Sequence, residues 1–292
     1  MLGNLIEAII LGVLTGGVYA LMASGLTLVF GVMDIINVGQ GALVILGAYL
    51  SFFLQQRFHI DLFVGLLITL PAMFLFGLLI EFLFIRPVKR DRTMFSILIT
   101  FGVALIIEGA LNLIFTANNA KLQAWYVTAS FKVGGFYLAY IYVFGFLLAV
   151  VLLGGLYWLI YRTKFGFSLR ASMQNRTAAE LIGINVERIS AITFGIGIAL
   201  AAAGGMVFGA TNAFNAGSAY DLISRLLAII IFGGLGSLSG ALIASLGMLV
   251  VEDITAFFWD PRWATVVFFI LLVAILLFRP QGLLGKVEAR KQ

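Results

Sequence analysis

The chain has 292 residues, 62% of them hydrophobic and 11% charged, with a formal net charge of +5 and no cysteine. A soluble domain carries about 25% charged residues, so a water-facing globule, a nucleic-acid-binding domain and a disordered chain are excluded. Without cysteine there are no disulfides or thiolate metal sites, and the single histidine, His59, rules out a multi-histidine metal cluster.

A membrane helix needs about 20 apolar residues to cross about 30 Å of hydrocarbon, where every backbone group must be bonded internally. The apolar runs here are long and continuous, so an all-α polytopic membrane protein is expected rather than a barrel. In chain order, spans are predicted over 5–30, 41–56, 62–84, 94–117, 138–160, 189–212, 222–255 and 264–278. That gives roughly seven to nine transmembrane or half-spanning helices in a single domain over 1–292. The opening MLGNLIEAII has no basic leader and no cleavage signal, so the first run is expected to stay as a membrane helix.

Orientation follows from the cations. Thirteen of the eighteen Lys and Arg residues fall in three stretches: Arg86, Lys89, Arg90 and Arg92; Arg162, Lys164, Arg170, Arg176 and Arg188; Arg279, Lys286, Arg290 and Lys291. Positive-inside logic puts loop 86–93, loop 162–188 and the C-terminus in the cytoplasm. The positive charge is therefore mainly topological. Between Arg188 and Arg279 the chain must cross an even number of times, so 222–255 has to begin and end on the outer side. It is interrupted by Gly233, Gly234, Gly236 and Gly240, and is predicted to be a broken hairpin: a short helix in, a glycine turn, a helix back. The same parity leaves the N-terminus outside and 31–40 as a cytoplasm-side turn.

Phe30-Gly31 before Gly41–Gly47 and Phe232-Gly233 before Gly240–Gly247 are alike, as an internal repeat or as chance in a Gly-, Ala- and Leu-rich chain would make them. Closely spaced Gly12, Gly16 and Ala20, and Ala199, Ala203, Gly205 and Gly209, point to tight helix packing.

The most polar interval is 162–188. Ser168 can cap a helix from Leu169 to about Ile182, with Gly183 at the left-handed C-terminal position. Such a helix would be about 21 Å long at 1.5 Å per residue. Leu181, Ile182 and Ile184 make an apolar knob at its end. Two uses are open: docking in a groove of a partner protein, or resting on anionic membrane lipid.

Several ordered motifs then coincide: Gly25-Leu-Thr-Leu-Val-Phe-Gly through Asn37-Val-Gly-Gln-Gly, Phe165-Gly-Phe-Ser-Leu-Arg-Ala through Ala179-Glu-Leu-Ile-Gly-Ile-Asn, Gly233-Gly-Leu-Gly-Ser, and Arg279-Pro-Gln-Gly-Leu. Together they resemble the LivH/LivM permeases, the membrane subunits of branched-chain amino acid ABC importers. The resemblance implies a second permease subunit, a copy or a paralogue, and two cytoplasmic ATP-binding subunits. It also implies an extracytoplasmic solute-binding protein and a location in the inner membrane. On that analogy 166–184 is the coupling segment, with Arg170, Ala171, Asn175, Ala179, Glu180 and Gly183 as its site residues. The family turn commonly reads Asn-Phe-Ala-His-Gly; Gln40 stands here in place of the histidine, so no titratable ring is available there. Leucine-type amino acids are the first solute implied, with urea and short amides carried by similar permeases.

No GxxxxGK[ST] occurs: Gly282-Leu-Leu-Gly285-Lys286 fails on spacing and lacks the Ser or Thr. ATP is thus expected on partner chains, with no cofactor, metal or catalytic residue in this one. At membrane depth Glu108, with Asn112 one turn on, is either a pathway residue or a packing pin. Asp34, Asn37 and Gln40 at the first break are either a wet passage or a solvated loop. Asp221 and Arg225 are taken as an exposed pair of little energy. Trp125, Trp158, Trp259 and Trp263 are expected at interfaces. A stand-alone ion-coupled transporter or channel is the competing class. It would need paired ionisable groups at mid-depth, where only Glu108 is identified.

Overall fold

The computed structural model describes residues 2–88, 92–133 and 135–285. Lys89, Arg90, Lys286, Arg290 and Lys291 of the basic stretches lie outside the described residues. The chain opens with helices α1 (Leu2–Met33), α2 (Gln40–Phe58) and α3 (Leu62–Ile80), and α3 runs into a π-helical turn, Glu81–Ile85. Then come α4 (Arg92–Phe115), the single turn α5 (Trp125–Thr128), strands β1 (Ser130–Val133) and β2 (Phe136–Ala139), and α6 (Tyr140–Arg162). The rest is α7 (Lys164–Gln174), α8 (Arg176–Leu181), α9 (Val186–Thr211), α10 (Ser218–Gly233), α11 (Leu238–Phe258) and α12 (Pro261–Phe278). The predicted spans reappear within a few residues of their expected ends. The antiparallel β1–β2 hairpin, with Ser130 opposite Ala139, was not anticipated.

Among the described residues, seven helices are long and apolar enough to cross a membrane: α1, α3 with its π turn, α4, α6, α9, α11 and α12. Helices α2 and α10 pack inside them, α2 against α9, α10 and α3, and α10 against α11 and α2. Glycine makes the close approaches possible. A Cβ at Gly205 would strike the Val44 carbonyl, one at Gly47 would strike Ala202, and one at Gly12 the Val250 backbone. Such backbone-to-backbone contact replaces the hydrophobic drive that lipid cannot supply between helices.

The broken hairpin is present as α10, a turn at 234–237 and α11. Gly234 (φ 103°) and Gly236 (φ 76°) take conformations that side chains disfavour. Ser237 then caps α11, its Oγ accepting from the Gly240 amide at 3.1 Å. The turn is tied to the C-terminal segment by Leu283 N–H to the Phe232 carbonyl (2.8 Å) and Leu284 N–H to the Gly233 carbonyl (3.0 Å). At the same end Arg86 pairs with Glu187, the Thr93 hydroxyl donates to the Asp34 carbonyl at 2.9 Å, and Met173 of α7 touches Gly31. The 31–40 break, Arg86 and Thr93, segment 162–188 and the hairpin turn therefore gather at one end of the bundle. At the other end Asp61 caps α3 by accepting from the Phe63 amide at 2.9 Å, and accepts from the Tyr126 hydroxyl at 2.8 Å. Burial, then the bond to Asp61, push the Tyr126 phenol above its ordinary pKa.

Segment 162–188 corrects one expectation. The single helix from Leu169 to Ile182 is two helices, α7 and α8, and Ser168 is not the cap. Helix formation starts earlier because Thr163 Oγ1 accepts from the Gly166 amide at 3.1 Å. Gly166, lacking a side chain, lies against the Leu159 and Ile160 carbonyls at the end of α6. Ser168 sits inside α7, its Oγ donating to the Lys164 carbonyl at 3.2 Å. The break falls at Asn175, extended at φ −157°, whose Oδ1 accepts from the Ala178 amide at 3.0 Å. An Asn side chain competes with helix continuation in this way and restarts a helix as its cap. Gly183 does take the expected left-handed conformation, φ 88°.

Candidate functional site

The residues expected to couple to a partner are held from within the segment. The Arg170 guanidinium lies over the rings of Tyr161 (5.0 Å) and Phe167 (4.8 Å), fixing α7 to the end of α6. The Ala171 carbonyl accepts from the Asn175 amide at 3.1 Å. Ala179 is buried, and Glu180 accepts from Arg176 Nε at 3.3 Å along the exposed side of α8. This leaves Leu181 83% and Ile182 75% exposed at the tip. Two bare aliphatic side chains on a polar segment make a knob for an apolar groove. The inner flank is anchored: Met173 Cε abuts Gly31 of α1, which in turn lies 3.7 Å from Gly236 of the hairpin turn, measured from the Cβ position. Displacement of α7 would therefore bear on α1 and on the α10–α11 turn together.

The four residues expected on a pathway fall into two groups. Asn37 and Gln40 are almost fully buried, and Asn37 Nδ2 donates to Gln40 Oε1 at 3.0 Å. Gln40 Nε2 reaches the Gly197 carbonyl at 3.4 Å, and the Val38 amide donates to Thr100 Oγ1 at 3.1 Å. The stretch after α1 thus turns back into the bundle, so α2 begins beside Gly25 and Gly197, well inside α1 and α9. Asp34 stays exposed. Glu108 is elsewhere, on α4, accepting from the Tyr220 hydroxyl of α10 at 2.6 Å, and Asn112 is exposed one turn on. The glycines 233, 234, 236 and 240 do come together: Gly233 and Gly240 are in backbone contact across the turn.

Asp221 and Arg225 do not form a simple exposed pair. The Arg225 side chain is only 14% exposed. Its Nε donates to Asp221 at 3.1 Å, its Nη1 to Glu252 Oε1 at 2.5 Å and its Nη2 to Thr265 Oγ1 at 3.2 Å. Asp253 accepts from the Thr15 hydroxyl at 3.3 Å. Glu108 is therefore not the only ionisable group at depth: α10 and α11 carry a charged cluster into the bundle. The signal was present, since Glu252 and Asp253 interrupt an apolar run that parity requires to lie in the membrane.

The fold and the site define a multi-pass helical membrane protein with polar clusters inside an apolar bundle and an exposed polar segment at one end, the build of a transport permease. A family model described as branched-chain amino acid transport system, permease component, matches residues 8–276. The chain belongs to that family. It is similar to the high-affinity branched-chain amino acid transport system permease protein BraD of Pseudomonas aeruginosa, 28% identical over 98% of this chain and 97% of that one. To LivH of Escherichia coli it is 28% identical over 96% of this chain and 95% of that one. To LivM of the same organism it is 24% identical over 91% and 68%. No solved structure matches.

Proposed function

We propose that this chain, as one permease domain over 1–292, is the membrane subunit of an ATP-driven importer of branched-chain or other small amino acids. It works beside a second permease subunit, on two ATP-binding subunits, and receives solute from an extracytoplasmic binding protein. ATP is hydrolysed on the partners, and this chain performs translocation alone. The observation that carries the reading is the family match along nearly the whole chain. The exposed Leu181–Ile182 tip on an anchored polar segment adds the point of attachment. Segment 162–188, loop 86–93 and the C-terminus face the cytoplasm in this reading, which is supported by Arg86 and Thr93 lying at the same end of the bundle as segment 162–188.

Closure of the ATP-binding subunits moves α7 and α8, with Arg170, Ala171, Asn175, Ala179, Glu180 and Gly183 keeping the segment stiff enough to transmit force. Met173 passes the displacement to Gly31 and Gly236. Helices α1, α10 and α11 then shift against α2 and α9, altering access past Asn37 and Gln40 and past Glu108 and Asn112. Liposomes test this. The assembled complex with loaded binding protein and internal ATP should accumulate leucine, while this chain alone should not. Accumulation by the lone chain on a proton or sodium gradient would make it a secondary transporter and end the proposal.

A further inference from the structure

A cavity of about 460 Å³ lies between α1, α6, α9, α10 and α11. Its polar lining includes Tyr19, Tyr142, Asp221, Arg225, Glu252 and Asp253. The volume is within the range of small-molecule sites. Its exposed lining residues Asn212 and Ala213 follow the C-terminal end of α9, so the mouth is at the end of the bundle opposite α7.

The charges inside are unequal: three carboxylates face one guanidinium. The guanidinium is already engaged by Asp221, Glu252 and Thr265, and its face lies 5.6 Å from the Phe268 ring. The capacity left over is for accepting hydrogen bonds. Glu252 is 8% exposed, and its Oε2 is buried with no hydrogen-bond partner among the described residues. Among the described residues Asp253 has only the 3.3 Å bond from Thr15. A carboxylate oxygen in such surroundings is costly unless a cation or a donor meets it. Beside these acceptors stand the rings of Tyr19 and Tyr142, which favour an ammonium group, and the aliphatic Val18, Val207 and Leu249, which favour a hydrocarbon chain.

We propose that this cavity is a solute site within a single protomer, which takes a protonated primary amine on an aliphatic skeleton. The ammonium would lie at Glu252 and Asp253 and the chain against Val207 and Leu249. The proposal rests on the reading of the chain as an amino acid permease, and it makes the solute's ammonium the group recognised inside the membrane.

Because the chain has no cysteine, labelling of this chain at Val207→Cys, or at Leu249→Cys on the facing wall, reports on the cavity alone. The assembled complex in nanodiscs is treated with a small neutral thiosulfonate reagent, with and without 3-methylbutylamine, leucine or 4-methylpentanoate. The amine, at about ten times its dissociation constant, should slow labelling about tenfold. Leucine should also protect and 4-methylpentanoate should not. Asp253→Asn should remove the protection while the thiol stays reactive. Equal labelling with and without the amine, protection that survives Asp253→Asn, or thiols at both positions that never react would each overturn the site. If the amine protects but the wild-type complex takes up no aliphatic amino acid, the cavity stands and the transport reading falls. If uptake is normal and nothing protects, the reverse holds.

Discussion

Two polar clusters lie inside the same bundle and are built in opposite ways. Asn37 and Gln40 are neutral, bond to each other, and are wedged where Gly25 and Gly197 bring α1 and α9 into backbone contact. Arg225, Glu252 and Asp253 are charged, and they border open volume with acceptors to spare. The first is a clamp whose bonding capacity is met by its neighbours. The second keeps capacity in reserve, at a cost in stability that packing elsewhere must offset. Burial alone does not separate the two; what separates them is whether each buried polar atom already has a partner.

The contrast can be broken most severely at Arg225. Arg225→Ala leaves Asp221 and Glu252 without their cation and is expected to cost about 3–5 kcal/mol, as removal of one member of a buried pair does. It should appear as the largest fall in the thermal midpoint of the purified complex. Overfilling the clamp comes next. A Cβ at Gly197 would lie 2.8 Å from the Gly25 carbonyl oxygen, so Gly197→Ala should cost about 1–3 kcal/mol by the same measurement. Gly247→Ala, where nothing lies within 4 Å, should leave the midpoint unmoved. A smaller loss than at Gly197 is expected at Gln40→Leu, about 1 kcal/mol from orphaning the Asn37 amide. Adding Asn37→Leu should restore part of that loss, because no polar partner is then stranded. A double variant worse than either single one would show that the pair bonds to something other than itself.

Most of the architecture was legible because hydrocarbon leaves the backbone so few options. Apolar run length gave the spans. The parity of Arg188 and Arg279, with the glycines after Phe232, gave the α10–α11 hairpin before any coordinate. Two features were hidden for definable reasons. Asp221 and Arg225 at i, i+4 look like any surface pair, and only folding the hairpin brings Glu252, 27 positions further on, to the guanidinium. The break at Asn175 was hidden because a single Asn lowers helix propensity by only a fraction of a kcal/mol, too little by itself to mark a boundary. The helix expected from Leu169 to about Ile182, bounded by Ser168 and Gly183, ran straight through it. The residues proposed to couple were singled out by resemblance, and the structure adds what holds them: Arg170 by two aromatic rings, Ala179 by burial and Gly183 by its positive φ.

The central claim is that force reaches this membrane body through the tip of α8, and a cysteine at Ile182 tests it most directly. On an otherwise cysteine-free chain, that thiol in the assembled transporter should crosslink to an ATP-binding subunit. In intact cells it should be shielded from membrane-impermeant reagents until the membrane is opened. Rapid labelling from outside intact cells, with no crosslink formed, would put the lever on the wrong side of the membrane and contradict the account.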